Sequence, residues 1–423
     1  MAATFPKMVK IKQHFTGPSV SDLDATIAEQ FRKVGVAERL RPGMKVAITA
    51  GSRGIANIAA MIRASVRELK QLGAEPFIIP TMGSHGGATA EGQVEVLHSL
   101  GITESFCEAP IHSSMDVVQV GETDAGMPVY VDRLAWEADA VLLMGRVKVH
   151  TDFKSPIRIE SGLMKMAAIG MGKHAQALLI HSYGVEGIRD RMPEVAEVVL
   201  SKVNIICGVA IVENAYEQTA LIEAIPVESI MQREGELLDY SASLMPKLPV
   251  DDVDVLVVDE IGKNYSGTGM DTNMIGRIRI VGVEEPASPR IKYVVASDLS
   301  EESHGNALGI GLADLTTKRL FEKIDFHNMN ENVITSSFLH RAMIPIVMDN
   351  DREAMSAALR CNWGVDPQQA KIVRIPNTLH LEYVYVSESL LPELRHLSHV
   401  EIVGEAEDMQ FDEEGYLFKS DFN

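Results

Sequence analysis

Residues 46–89 read VAITAGSRGIANIAAMIRASVRELKQLGAEPFIIPTMGSHGGAT, and this stretch decides the fold class. A short apolar run, Val46–Thr49, gives way to a glycine-containing polar turn and then to a segment of helical character, Ile55–Leu72. A second apolar run, Phe77–Pro80, follows and ends in another glycine-rich turn. Strand, turn, helix and strand in that order make a βαβ unit, the building block of a parallel sheet. Further along, Ala90–Leu100 reads as a helix and Ala140–Met144 as a strand, which continues the alternation.

The pattern is interrupted at 245–252, MPKLPVDD, where two prolines precede a new apolar run, Val253–Val258. A domain boundary belongs there, giving residues 1–247 as a larger α/β domain with a mostly parallel, Rossmann-like sheet and 248–423 as a smaller α/β domain. In the second, Arg277–Val283, Lys292–Ala296 and Glu382–Val386 read as strands, and Leu312–Phe321 and Arg352–Leu359 as helices. The last segment has the option of packing back on the first domain. The acidic tail after Val400 reads as solvated surface.

With 423 residues the chain exceeds what one core usually serves, and its 46% hydrophobic share is that of a folded protein. A formal charge of −20 argues against nucleic acid, whose binders present a basic surface. No apolar stretch has signal-peptide or membrane-spanning length, so a cytoplasmic protein without a membrane partner is expected. Cys107, Cys207 and Cys361 are odd in number and lack metal-ligand spacing, which fits a reducing compartment.

In a doubly wound sheet, ligands sit where strands end, and four polar clusters occupy such places. Thr49–Gly54 offers amides, a hydroxyl and a guanidinium suited to an anion; a turn with a solvated arginine fits the same spacing. Met82–Thr89 holds His85 among three glycines, a setting for a proton donor or acceptor, although a turn histidine before the next helix also satisfies it. Gly145–His150 ends the Ala140 run with basic groups and a second imidazole; taken singly His150 reads as a satisfied loop residue, but two histidines after different strands can flank one ligand. Glu160–His174, continuing to His181, sets Lys165 between Met164 and Met166; it reads either as a lysine disposed to become a nucleophile or as one whose stem lies along a core.

Other motifs exclude chemistry. Gly172-Lys173 is followed by His174 and lacks the upstream glycine of a phosphate-binding loop, and no GxGxxG opens a βαβ unit. A conventional nicotinamide dehydrogenase is therefore disfavoured. In the second domain, the loop Asp259–Asp271 combines acid, base, hydroxyl and glycine. It reads equally as a ligand-facing loop or as a polar connection. Ser303–Asn306 contains a lone histidine, more often structural.

Taken in order, the four clusters resemble the nickel-pincer nucleotide enzymes typified by lactate racemase, over roughly residues 40 to 280. The resemblance implies an isomerase, a racemase or epimerase of a small 2-hydroxy acid, with its active site in the cleft between two α/β domains. It implies that His85 of Gly83-Ser84-His85 and His150 are the catalytic acid and base. Lys165, in Ser161-Gly162-Leu163-Met164-Lys165, would carry the cofactor, a pyridinium bis-thiocarboxylic acid mononucleotide holding nickel. His181, sixteen positions on, would ligate the nickel, whose square geometry leaves one site for an imidazole. Ser52, Arg53, Gly83 and Ser84 would line the cofactor site. One histidine would take the substrate hydroxyl proton as hydride moves to the pincer ring, and return of hydride to the other face would invert the centre. Enzymes that build and load the cofactor are implied as partners. The oligomeric state stays open, a homo-oligomer included.

The sequence also departs from that family. Where members often show Asp-x-x-Arg-Pro, this chain has Ala50 and Gly54 around Arg53. The interval from His150 to Lys165 is long, with Asp152–Glu160 as an apparent insertion whose Asp152, Lys154 and Arg158 read as an exposed loop. A Gln-x-x-Lys element in the second domain has no plain counterpart, and Lys263 and Arg277 are taken as substrate-binding in its place. These differences imply a substrate other than lactate. Two further readings stand beside this one: a dehydrogenase or lyase of the same fold using another nucleotide, and a non-catalytic small-molecule binding protein.

Overall fold

The computed structural model of the protein describes residues 4–52, 54–418 and 422. Arg53, one of the expected cofactor contacts, lies outside the described residues. The chain forms two compact units, one of Gly17–Met245 and one that joins the amino-terminal segment up to Thr16 to the chain from Pro246 onward. The amino-terminal segment, expected in the first domain, is thus part of the second unit. There β1 (Met8–Gln13) pairs antiparallel with residues 383–387 on one side and 400–402 on the other.

In the Gly17–Met245 unit, β2 (Lys45–Ala50) and β3 (Glu75–Pro80) precede a separate hairpin, β4 (Val117–Glu122) and β5 (Pro128–Asp132). Then come β6 (Ala140–Arg146), β7 (Ile205–Glu213) and β8 (Thr219–Ile225). The main sheet has the order β3-β2-β6-β7-β8, parallel throughout except for β8. Val46–Ala50 are all buried, as continuous apolar strands must be when both faces of a parallel sheet are covered.

The crossover from β2 to β3 runs through the helix Ile58–Gln71. It buries Ile58, Met61, Ile62, Ser65, Val66 and Leu69, one stripe at helical spacing. At about 1.5–3 kcal/mol for each large apolar side chain, that stripe outweighs the helix's modest intrinsic propensity. The helix ends in a Schellman motif: Gly73, at φ 86°, donates to Lys70 O, and Ala74 N donates to Leu69 O. From β2 the chain builds β3 to one side and then β6 to the other. The strand order reverses between β2 and β6, which opens a crevice at their carboxyl ends.

The second unit continues with β9 (Asp252–Val258), β10 (Arg290–Ala296), β11 (Leu315–Thr317), β12 (Ile346–Met348), β13 (Ile372–Ile375), β14 (Tyr383–Ser387) and β15 (Val400–Ile402). Its sheet runs β12-β11-β10-β9-β13-β14-β1-β15, parallel as far as β13 and antiparallel beyond. Two expectations fail here. Arg277–Val283 is irregular and not a strand, because the Ile278 and Arg279 amides donate to the Glu285 carboxylate and Arg279 and Gly282 adopt positive φ. Within Leu312–Phe321 a strand precedes the helix: the Thr316 and Thr317 hydroxyls donate to the carbonyls of Ala296 and Ser297, and Thr317 then caps the helix Lys318–Glu322. Among the described residues no helix is long and apolar enough to cross a membrane.

Ile11 is fully buried and pairs with Val384 and Ile402. Ile11→Ala is expected to cost about 2–5 kcal/mol and to do so in the second unit. Hydrogen–deuterium exchange should quicken at β14 amides and stay unchanged at β6; equal acceleration at both would show that the two units unfold together.

Candidate active site

At the reversal point of the first unit lies an open cavity of about 170 Å³. Its walls come from the ends of three neighbouring strands: Gly51 and Ser52 after β2, Thr81, Met82 and His85 after β3, and Gly145 and Arg146 closing β6. Ser161, Gly162 and Lys165 complete it from the segment that follows. Glu213, at the end of β7, ion-pairs with Arg146 and accepts a hydrogen bond from the Ala56 amide at 2.6 Å. Arg146 is therefore held as a fixed positive group at the cavity wall. Gly83 and Ser84 do not wall the cavity. Gly83, at φ 60°, turns the loop against Ile169, where a Cβ would come within 3.1 Å of the isoleucine side chain.

Between β6 and Lys165 the chain makes a loop whose ends are tied together. Lys148 N donates to Ser161 O at 2.8 Å. The buried Glu160 carboxylate accepts from the His150 amide (2.7 Å) and the Ser155 amide (3.1 Å). This closed loop absorbs the apparent insertion. Lys154 and Arg158 are exposed, Arg158 pairing with Asp239 on the surface, while Asp152 is half-buried beside His150. His150 and Lys165, fifteen residues apart, meet with Nε2 and Nζ 2.9 Å from one another. The Asp152 amide donates to His150 Nδ1 at 3.1 Å, which directs Nε2 toward the lysine.

Lys165 ends a short helix, Leu163–Lys165, whose first amides are capped by the Glu234 carboxylate; Met164 N donates to it at 2.9 Å. Gly162 makes this approach feasible, since a Cβ there would lie 2.4 Å from the Glu234 carboxyl carbon. Burial pushes the Glu234 carboxyl up to about 7 against the lowering effect of those amides. The wide π turn Met166–Gly170 follows, then the helix Lys173–His181. A straight helix would separate Lys165 and His181 by about 24 Å. The left-handed φ of 53° at Lys173 breaks the rod, and His181 lies close enough to Lys165 for the ammonium to act on it. Surrounding protein, then Lys165, hold the His181 imidazolium below its ordinary pKa, with Asp152 opposing. His181 itself is exposed to solvent and does not wall the cavity.

In the second unit, Lys263 bonds to Gly267 O in its own loop and to Asn332 Oδ1, on the helix Phe326–Ser336, at 2.8 Å. Arg277 does not suit the substrate-binding role expected of it. Its guanidinium donates to the carbonyls of Leu312, Ile291 and Lys292 and pairs with Asp314 at 2.6 Å, all of them fixed protein acceptors. Sequence reading did not single out Glu234 or Gln93 and treated Lys173 only as part of a failed phosphate motif. The trace they leave is slight: an ionisable or amide side chain inside an otherwise helical apolar pattern.

Residues 16–153 match the family model of the lactate racemase N-terminal domain. No curated protein matches the chain in sequence. In fold, the chain is similar to the lactate racemase apoprotein from Thermoanaerobacterium thermosaccharolyticum, with a TM-score of 0.53 at 11% identity, over 88% of this chain and 99% of that one.

A buried carboxyl whose folded pKa lies above its unfolded value binds a proton more readily in the native state. Glu234 therefore lowers stability as pH rises from about 4.5 to about 7, by at most about 3 kcal/mol. Glu234→Gln keeps an acceptor for the Met164 amide and removes this titration. The difference in unfolding free energy between variant and wild type should move in favour of the variant between pH 5 and pH 7.5. A difference independent of pH would show that Glu234 is not the titrating group.

Proposed function

We propose that this chain, with a lactate racemase N-terminal domain over residues 16–153 on a lactate racemase fold, is a racemase or epimerase that inverts C2 of a small 2-hydroxy acid other than lactate. The observation that carries the reading is the meeting of Lys165 Nζ and His150 Nε2 at 2.9 Å beside a cavity that His85 lines from a different strand. The residues fit a lysine-tethered nickel-pincer nucleotide. Lys165 brings a primary amine to the cavity wall and Arg146 a fixed cation for an anionic group; His181, outside the lining but within electrostatic reach of Lys165, offers an imidazole biased toward the neutral form that a metal requires. Bound there, the cofactor would supply a hydride acceptor and donor.

The protein's share is orientation and proton transfer. His85 stands in a glycine-rich turn with its ring exposed, and His150 lies behind Lys165 with its Nδ1 engaged by the Asp152 amide. Each imidazole in its neutral form can take the substrate hydroxyl proton, and each as imidazolium can return one, so the two exchange roles between the forward and reverse reactions. Acylation of Lys165 would remove its charge and free His150 Nε2 from an ammonium neighbour. The departures at Ala50 and Gly54 and the closed loop of 148–161 support a substrate larger or more polar than lactate. The reading carries with it cofactor-building enzymes as partners and the cytoplasm as compartment.

Protein produced alongside cofactor-building enzymes should gain mass and stoichiometric nickel, and Lys165→Ala treated identically should gain neither. His85→Ala and His150→Ala should each keep the nickel and lose about 10²–10⁴-fold in kcat, with lactate inverted more slowly than larger or more polar hydroxy acids. An unmodified, nickel-free wild type, under conditions where a lactate racemase loads, would reduce the likeness to one of fold.

A further inference from the structure

Lys173 is fully buried, its side chain 0% exposed, and so is its partner Asp132 at 2.9 Å. Burial pushes the lysine down and the carboxyl up, each partly offset by the other. The ammonium has three protons and meets three acceptors on three elements: Asp132 at the end of β5, Pro80 O at the end of β3, and Gln93 Oε1 at 3.1 Å on the helix Ala90–Ser99. Gln93, also fully buried, passes the contact on. Its Nε2 donates to Gly83 O at 2.9 Å and to His85 O at 3.2 Å.

A lysine ammonium can only donate, so it fixes which end of the Gln93 amide faces it and turns the amide hydrogens toward the loop that carries His85. Lys173 belongs to the same rod as Lys165 and His181, where its own left-handed backbone makes the break. The two pieces touch elsewhere as well: Gly83 N donates to Gly170 O, and a Cβ at Gly170 would strike Thr81 O at 2.8 Å. An apolar side chain would fill this space without the desolvation that a buried ion pair brings, so the pair is poorly explained by stability alone.

We infer that Lys173, held by Asp132 and acting through Gln93, is a positioning residue that fixes the His85 loop relative to the segment bearing Lys165 and His181. The inference rests on the racemase reading only for its catalytic consequence; the positioning itself belongs to the protein without cofactor.

The test uses Gln93→Leu, which severs the link to the loop and leaves the buried ion pair in place. In unloaded protein labelled with ¹⁵N-histidine, the His85 ring signal, identified by its loss in His85→Gln, should broaden or split. Lys173→Met should reproduce that change if it folds. In loaded enzyme, Gln93→Leu should lower kcat at least tenfold while KM stays within threefold. A lower melting temperature with the His85 signal unmoved would overturn the inference and leave a purely structural pair. A His85 signal that changes in a protein whose wild type inverts no hydroxy acid would uphold the positioning and sink the proposed function instead.

Discussion

Parallel pairing of β2 with both β3 and β6 is the constraint from which the site follows. Strands that run the same way deliver the chain at one edge of the sheet, and a reversal of strand order leaves no helix to cover the gap between two of them. Ser52, His85 and Arg146 are far apart in sequence and share a cavity because each stands just past or at the end of one of these three strands. The hydrophobic effect that buries both faces of the sheet thus determines where polar side chains can gather. They collect at the strand ends, where the backbone is no longer committed to the ladder.

Around that edge stand several buried ionisable groups. Glu160 closes the 148–161 loop, Glu234 caps the helix of Lys165, and Asp132 and Lys173 form an ion pair with no exposed side-chain surface. An unpaired buried charge costs several kcal/mol, whereas a paired one roughly balances. Each of these groups accordingly faces backbone amides or an opposite charge. Their common effect is to fix short stretches of chain whose own propensities are weak: a three-residue helix, a π turn, the closed loop 148–161 and the glycine-rich loop of His85. A similar arrangement recurs in the second unit, where Arg374 grips Asp259 at 2.7 and 2.8 Å and burial pushes that carboxyl up to about 6.

The first βαβ unit was legible because Val46–Thr49, Ile55–Leu72 and Phe77–Pro80 carry their periodicity in uninterrupted runs. The clusters around His85, His150 and Lys165 were legible for a related reason, since each begins where such a run stops. What escaped was set by distant partners. Arg277–Val283 has the apolar alternation of a strand, yet the Glu285 carboxylate takes its amides. Leu312–Phe321 has helical spacing, yet three of its residues extend the sheet beside β10. Arg277 looked like a substrate clamp because a guanidinium in sequence carries no sign of the carbonyls that will surround it. Lys173 and Asp132 lie forty-one positions apart, and nothing local to either announces the other.

The strand Met8–Gln13 has a bearing on how the molecule comes into being. It is made before β14 and β15, between which it sits, so the whole Gly17–Met245 unit is an insertion within the second one. During synthesis the inserted unit can complete its own sheet while the amino-terminal strand waits without a partner. The second unit cannot close until β14 and β15 have left the ribosome. Vectorial translation therefore makes the unit that holds Lys165 the early folder, and a chain released prematurely would keep the candidate cofactor site while lacking the second sheet altogether.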